Sequence, residues 1–226
     1  MIVSIHQPNL WPWLGFFDKM AASDLFILLD TVPFTKGGFQ NRVQLKGTNG
    51  ALWLTVPVIT AKRLGQSTLD VELNSSSHWQ RDHMRSFQAY YAKTAAYETM
   101  MPVLEELYRH QYQKLTSFTE PGIVWIAQML GIGTRLVKAS ELNVSGSGSQ
   151  LLCDLVREAG GSTYLSGPSG RRYLDEEVFR KQGIEVHYHS FTPFPYTQRF
   201  GDFIGGLSAL DYLFNEPDLV AWQNRP

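Results

Sequence analysis

The chain has 226 residues, enough for one large domain or for a domain that carries an inserted subdomain. Hydrophobic residues make up 43% of the chain and its net charge is −1, so we expect a full core and no bulk attraction to nucleic acid or anionic lipid. The single cysteine, Cys153, excludes an internal disulfide and a multi-cysteine metal site. Within the apolar segment LLCDLV, it is predicted to be a buried thiol rather than a nucleophile.

The first residues, MIVSIHQPN, lack the basic start and the long apolar stretch of a signal peptide. No apolar stretch approaches the roughly 20 residues that a membrane-spanning helix needs. We therefore expect a cytoplasmic protein that binds neither membranes nor nucleic acid. The oligomeric state does not follow from the sequence.

The first thirty residues predict a β–α–β unit. Residues Ile2 to Ile5 form a short apolar strand, helical periodicity follows from Trp13 to Met20, and residues Leu25 to Leu29 form a second apolar strand. Strands that are apolar on both faces are typical of a parallel sheet.

A hairpin and a helical region come next. Residues 41–46 and 52–58 flank Asn49-Gly50, which is typical of a hairpin turn. The pattern of residues 78–133 is helical, and we interpret this region as an insertion within a single domain that spans residues 1–226. His78 and His83, in this region, are predicted to lie on a solvated helix face.

The β–α–β pattern returns near the end of the chain. Residues 151–159 and 176–182 are predicted helices, and residues 163–165 and 184–191 are predicted strands. We therefore predict an α/β protein whose open, mostly parallel sheet is built from both ends of the chain.

The polar segment His6-Gln7-Pro8-Asn9 leaves the first predicted strand. In an open parallel sheet, ligands bind beyond the carboxyl ends of the strands. His6 would there act as an acid or base or contact a phosphate, since its ordinary pKa lies near neutrality. The alternative is a core histidine that the backbone satisfies, but Gln7 and Asn9 are costly to bury without a ligand or water.

A second loop, SGPSGRR, leaves the strand that begins at Thr163. Its glycines permit close approach to a ligand, its serines supply hydroxyls and one arginine supplies a cation: Gly167, Gly170, Ser166, Ser169 and Arg171. The helix just beyond is expected to add free N–H groups to a phosphate site. The alternative is a tight connection that uses glycine and serine for turn geometry. If the two strands are neighbours, both loops open on one edge.

Asp30 ends the second predicted strand, so it points to the same edge, and Lys36, Asn41 and Arg42 follow it. An acid with nearby cations would orient an amine or a ribose of a substrate. The alternative is an ion pair that stabilises a loop and contributes little at a surface.

His187 and His189 are two residues apart on a predicted strand, so they share a face. Two imidazoles on one face can bind a metal ion together, but the spacing shows no third ligand, and a polar strand face is the alternative. We predict no metal site and no permanently bound cofactor.

Several segments together resemble the WbqC-like family. They are IHQPNLWPWLGFFDKMAASDLFILLD, FTKGGFQNR, LTVPV, YLSGPSGRRYLD and FGDFIGGLSALDYLFN, and they extend over nearly the whole chain. The blocks HQPN and SGPSGR are the most specific. The resemblance implies a cytoplasmic bacterial enzyme associated with the biosynthesis of surface polysaccharides and natural products, with glycyl (aminoacyl) transfer to an amino sugar as the implied activity.

The β–α–β start also resembles the nucleotide-binding fold of nucleotidylyltransferases and pantothenate synthetases. This likeness implies a three-layer sandwich of the HUP (Rossmann) type, here with a hairpin and a helical insertion. The His-x-Gly-His signature of those enzymes is absent: Trp11 to Gly15 occupy its region, and His6 is the histidine upstream.

These patterns predict a transferase that acts on a nucleotide-linked or phosphorylated small molecule. The predicted catalytic residues are His6, Arg171 and Asp30. The predicted substrate-binding residues are Gln7, Asn9, Lys36, Asn41, Arg42, Ser166, Gly167, Ser169, Gly170 and Tyr173. The alternatives are a nucleotidylyltransferase-like enzyme and a non-catalytic protein that binds a nucleotide sugar.

Overall fold

The computed structural model describes residues 1–61, 63 and 65–225. Its strands are β1 (Ile2–His6), β2 (Leu25–Leu28), β3 (Arg42–Gly47), β4 (Gly50–Thr55), β5 (Arg135–Lys138), β6 (Thr163–Ser166) and β7 (Glu185–Tyr188). Its helices are α1 (Leu14–Ala21), α2 (Trp79–Tyr91), α3 (Tyr97–Arg109), α4 (Leu115–Met129), α5 (Gly148–Glu158), α6 (Glu176–Lys181), α7 (Ala209–Asn215) and α8 (Val220–Gln223). No helix of the described residues is long and apolar enough to cross a bilayer.

The chain divides into two compact units. The first, which we call the sheet unit, comprises Met1–Pro8, Gly15–Val32 and Ile132–Phe191. The second, which we call the helical unit, comprises Asn9–Leu14, Pro33–Gly131 and Thr192–Pro226. Helices α2 to α4 belong to the helical unit together with the β3–β4 hairpin and the C-terminal segment. The organisation predicted from the sequence, one domain with an insertion over residues 78–133, stays a prediction.

The sheet unit is built on a parallel sheet of five strands in the order β5-β2-β1-β6-β7. From β1 the chain adds β2 and β5 on one side, and it then returns to add β6 and β7 on the other side. The strand order therefore reverses between β1 and β6, as in doubly wound folds. The predicted α/β fold with an open parallel sheet is confirmed.

Helices cover both faces of this sheet. Val3 and Ile5 of β1 point into a buried cluster that includes Cys153 of α5 and Phe179 of α6. Alternate residues point to the other face, where the ring of Phe26 lies 5.0 Å from the ring of Phe16 on α1. Cys153 is fully buried, as predicted, and burial raises the pKa of its thiol.

In the helical unit, β3 and β4 form the predicted antiparallel hairpin around a two-residue turn, with Gly47 paired to Gly50. A group of buried aromatic rings packs α2, α3 and α4 together. His83 lies within this group: its Nδ1 atom is 2.9 Å from the Tyr108 hydroxyl and its Nε2 atom is 3.1 Å from the Thr55 carbonyl oxygen. The prediction of a solvated face for His83 is therefore wrong, because α2 buries this residue among aromatic partners.

Candidate functional site

The carboxyl ends of β1 and β6 lie next to each other in the sheet unit. The two strands are parallel, with Ile2 paired to Thr163 and Ser4 paired to Leu165. The structure thus brings the start of the HQPN segment and the SGPSGRR loop to one edge. This edge is where the strand order reverses, the usual ligand position in an open α/β sheet.

Two histidines and a glycine follow one another across this edge. Ser4, Leu165 and His187 are aligned by the strand register and share the face on which α1 packs. Two residues further along lie His6, Gly167 and His189, which a continuation of this register would place next to one another. Between β6 and β7 the ladder does continue to this point, because the N–H of His189 donates to the Ser166 carbonyl oxygen at 2.8 Å. At the usual strand spacing, the Cα atoms of the two histidines are roughly 10 Å apart.

His6 is partly buried at the end of β1. Its Nδ1 atom is 2.9 Å from the Gln7 carbonyl oxygen, and its ring meets the edge of Phe16 at a centroid distance of 4.8 Å. Burial, and then the nearby Lys19 ammonium, lower the pKa of His6 to about 3. His6 is therefore a neutral imidazole at physiological pH.

Lys19 is a further residue of this edge that the sequence pattern does not indicate. Its side chain is 3% exposed, and its Nζ atom donates to the Ile5 carbonyl oxygen at 2.9 Å. It also lies over the Phe26 ring, 5.6 Å from the centroid. Burial lowers its pKa to about 7. In the sequence, Lys19 is one polar position of an amphipathic helix, so only the contacts of α1 with the sheet could reveal it.

His189 forms a dyad with Asp18 of α1. The Nε2 atom of His189 lies 2.8 Å from Asp18 Oδ2, and both side chains are largely buried. His187, in contrast, is exposed and lies 3.4 Å from Glu185. The two histidines that share a strand face thus have different partners. Among the described residues, no group of three or more histidines, cysteines and carboxylates is arranged to hold a metal ion.

The two glycines of the SGPSGRR loop have different surroundings. An ideal Cβ atom at Gly167 would find no heavy atom of the described residues within 4 Å, and its φ of −69° suits any residue. At Gly170, a Cβ atom would lie 2.2 Å from Ser166 Oγ. Packing therefore requires a glycine at position 170 but not at position 167. Ser166 is buried and donates to the Gly167 carbonyl oxygen at 3.2 Å, so it supports the shape of the loop.

The Arg171 side chain stacks on Tyr188 at the end of β7. Its guanidinium carbon is 4.1 Å from the ring centroid, and the Tyr188 hydroxyl donates to Glu176 of α6 at 2.6 Å. Because residues alternate along a strand, Tyr188 faces α6 while His189 faces α1. Arg171 and His6 thus lie at the same edge but on opposite faces of the sheet. Among the described residues, no carboxylate pairs with Arg171. Ser169 and Tyr173 in the same loop are exposed.

One N–H group at the start of the helix after this loop is already capped. The Asp175 carboxylate caps α6 by accepting from the Glu177 N–H at 3.1 Å, and glutamates occupy the first turn. The capping carboxylate takes up that N–H group, and the negative side chains of the first turn disfavour an anion at this end of the helix. The predicted contribution of this helix to phosphate binding stays a prediction.

Asp30 is fully buried near the carboxyl end of β2. Its carboxylate accepts from the Ser140 N–H at 2.9 Å and from the Ser140 hydroxyl at 2.5 Å. These contacts tie the end of β2 to the turn that follows β5. They support a structural role, and the predicted catalytic role of Asp30 stays a prediction.

Four of the predicted binding residues belong to the helical unit: Asn9, Lys36, Asn41 and Arg42. Asn41 is buried and donates to the Val56 carbonyl oxygen at 2.8 Å. Arg42 stacks on Trp53, with 4.3 Å between its guanidinium carbon and the ring centroid, and it donates to the Gly37 carbonyl oxygen. Lys36 is exposed and Asn9 is partly buried. The contacts of Asn41 and Arg42 hold the FTKGGFQNR segment against the hairpin.

Comparison with known proteins supports the family resemblance seen in the sequence. The model of the WbqC-like protein family matches residues 7–219. The chain is also 32% identical to the uncharacterized protein Rv1507c of Mycobacterium tuberculosis over 215 residues, which cover 94% of this chain and 93% of that protein. No solved structure matches the chain. Because the family model covers almost the full length, the chain belongs to the WbqC-like protein family.

Proposed function

We propose that the protein is a transferase that binds a nucleotide-linked or phosphorylated small molecule at the carboxyl edge of the sheet, between β1 and β6. The observation that carries the proposal is the reversal of strand order between these two strands, because it creates a crevice at their carboxyl ends. An acyl or aminoacyl group transferred to an amino sugar or a natural-product intermediate is the reaction that the family resemblance favours.

Gly167 supports the position of the ligand. Neither backbone geometry nor packing requires a glycine there, and the space where a side chain would lie is open. A glycine with these properties suits a site where a ligand approaches the backbone closely. Arg171, exposed in the same loop, supplies a cation for the phosphate at the rim.

The dyad of His189 and Asp18 supports a catalytic role for this edge. With Nε2–H donating to the Asp18 carboxylate, Nδ1 of His189 carries the lone pair that would take a proton from the acceptor. As the acceptor nitrogen or oxygen loses that proton, it bonds to the transferred group. The bond from that group to its phosphate-bearing leaving group breaks, and the leaving group keeps the electron pair.

The first test is a thermal-shift panel with pyrophosphate, ATP, UDP, UDP-N-acetylglucosamine and an aminoacyl-sulfamoyl adenosine. We expect at least one nucleotide to raise the melting temperature by several degrees, since a ligand that binds only the folded state stabilises it by mass action. If every compound leaves the melting temperature unchanged at millimolar concentration, the proposal is wrong.

Three glycine variants localise the site. Gly167→Ala is expected to leave the melting temperature of the free protein within about 1 °C and to abolish the nucleotide-induced shift, because the new methyl group fills the ligand space. Gly133→Ala is the matched control, because a Cβ atom at this position also meets no heavy atom of the described residues within 4 Å. Gly133 lies just before the amino end of β5, at the opposite edge of the sheet. We expect this control to keep the nucleotide-induced shift. Gly170→Ala should instead lower the melting temperature of the free protein, because its Cβ atom meets Ser166.

Product analysis separates the reaction classes. We expect mass spectrometry to detect a transferred group when the stabilising nucleotide is incubated with amino sugars. Release of pyrophosphate would favour nucleotidyl transfer instead, and stabilisation without any product would favour a non-catalytic binder. If this edge of the sheet carries the catalytic site, Arg171→Ala should abolish turnover with little change in melting temperature.

A further inference from the structure

The tautomer of His6 follows from its neighbours. Its Nδ1 atom lies 2.9 Å from the carbonyl oxygen of Gln7, and a carbonyl oxygen can only accept a hydrogen bond. Nδ1 therefore carries the hydrogen atom. In a neutral imidazole, the lone pair then lies on Nε2.

The surroundings of His6 keep this tautomer neutral. The Lys19 ammonium lies on the same face of the sheet and disfavours a second positive charge, as does the burial of the ring between β1 and α1. Other titratable groups of the described residues on this face are His189, which pairs with Asp18, His187, which lies beside Glu185, and Lys138, which lies beside Glu141. No donor among the described residues reaches the Nε2 atom of His6.

A neutral imidazole with this tautomer is unsuited to bind phosphate. Phosphate oxygens need donors, and the one N–H of His6 is already bonded to Gln7. The Nε2 lone pair instead accepts from an O–H or N–H group. With a pKa of about 3, His6 accepts a hydrogen bond but does not hold a proton near pH 7.

We propose that His6 binds a hydroxyl or amine of the substrate through its Nε2 lone pair, and that the phosphate binds to other groups of the same edge. This inference rests on the proposed function and names the chemistry of the group that His6 recognises. It proposes that His6 orients the acceptor, in place of the predicted phosphate contact.

The first experiment is nitrogen-15 NMR of the imidazole rings in the full-length protein, with His6→Ala for assignment. We expect His6 to keep its hydrogen atom on Nδ1 from pH 5 to pH 8. When the most stabilising compound of the panel is added together with an amino sugar, the Nε2 resonance should move upfield, as for a lone pair that accepts a hydrogen bond. A protonated Nε2 in either state would overturn the inference.

The second experiment compares two variants with pyrophosphate as the probe, by isothermal titration calorimetry. We expect Arg171→Ala to raise the dissociation constant at least tenfold, and His6→Ala to change it less than twofold. An equal loss in both variants would show that His6 contacts the anion, and would overturn this inference while leaving the proposed function standing. If wild-type protein binds no phosphate compound, the proposed function fails, whereas the NMR spectrum of the free protein still decides the tautomer of His6.

A third variant tests whether the charge of Lys19 contributes to the lowered pKa of His6. In Lys19→Met the pKa of His6 should rise, because a nearby positive charge is removed. It should remain below its usual range, because burial is the larger cause of the lowered value. No change in the His6 titration would show that Lys19 does not act on it.

Discussion

At the scale of single residues, a chain of hydrogen bonds shows how the helical unit buries polar atoms. The indole N–H of Trp11 donates to the Tyr108 hydroxyl at 3.0 Å, and this hydroxyl lies 2.9 Å from Nδ1 of His83. The Nε2–H of His83 then donates to the Thr55 carbonyl oxygen. Each group has a partner only if His83 is neutral, since a protonated Nδ1 would compete with the tyrosine hydrogen atom.

This network predicts a pH dependence of stability. Burial lowers the pKa of His83 from 6.5 to about 4, so the folded state excludes a proton that the unfolded state binds below pH 6.5. The contribution of His83 is therefore complete above pH 6.5 and is lost as the pH falls toward 4, by an amount on the order of 3 kcal/mol. His83→Gln, which keeps a donor and an acceptor, should flatten the urea-unfolding free energy between pH 6.5 and 4. Equal slopes in the two proteins would contradict the prediction.

Gly122 of α4 packs directly under the Trp11 ring. A Cβ atom at this position would lie 2.6 Å from Cζ3 of Trp11, whose side chain is 2% exposed and cannot move away. Gly122→Ala should therefore destabilise by about 1–3 kcal/mol, although alanine usually stabilises a helix interior. The control Val124→Ala, at an exposed position of the same helix, should have little effect in the same thermal unfolding assay. A higher melting temperature for Gly122→Ala would contradict the prediction.

At the scale of elements, the strand ends and their loops decide what the edge of the sheet can do. The sequence predicts β1 and β2 because each is a short apolar segment bounded by turn residues, and it predicts β6 and β7 from the β–α–β pattern near the end of the chain. It does not predict β5, whose four residues, RLVK, carry a charge at both ends. Only pairing with β2 makes this segment a strand, and no local pattern encodes that partner.

The hydrogen bonds between Asp30 and Ser140 connect the end of β2 to the turn after β5. Asp30→Asn should lower the free energy of unfolding by about 1–2 kcal/mol, because an amide cannot accept both Ser140 hydrogen atoms in the same way. Ser140→Ala should cost a similar amount, and the double variant should cost less than the sum. Urea unfolding measures all three. If Asp30→Asn keeps full stability but loses turnover, the catalytic role predicted from the sequence is the better explanation.

At the scale of the whole molecule, the sequence predicts the class of fold and the edge on which the two polar loops would meet, since both follow from the pattern of strands and polar strand ends. It does not predict which side chains at that edge contact one another, or which atoms they leave available to a ligand. Lys19, Asp18 and the tautomer of His6 depend on which face of α1 meets the sheet, and the stacking of Arg171 on Tyr188 depends on the register of β7. These are tertiary contacts, for which the spacing of residues along the chain carries no information.

The strand order also governs when the sheet can be completed. β1 is the middle strand, and its neighbours on the two sides come from very different parts of the chain: Val3 pairs with Leu25, whereas Ile2 pairs with Thr163. During synthesis, β1 and β2 can pair early, but the other side of β1 keeps its backbone groups unpaired until β6 leaves the ribosome. Because β6 is synthesised late, the nascent chain carries an open strand edge for most of its translation time. Closing so long a loop is slow and adds to this delay.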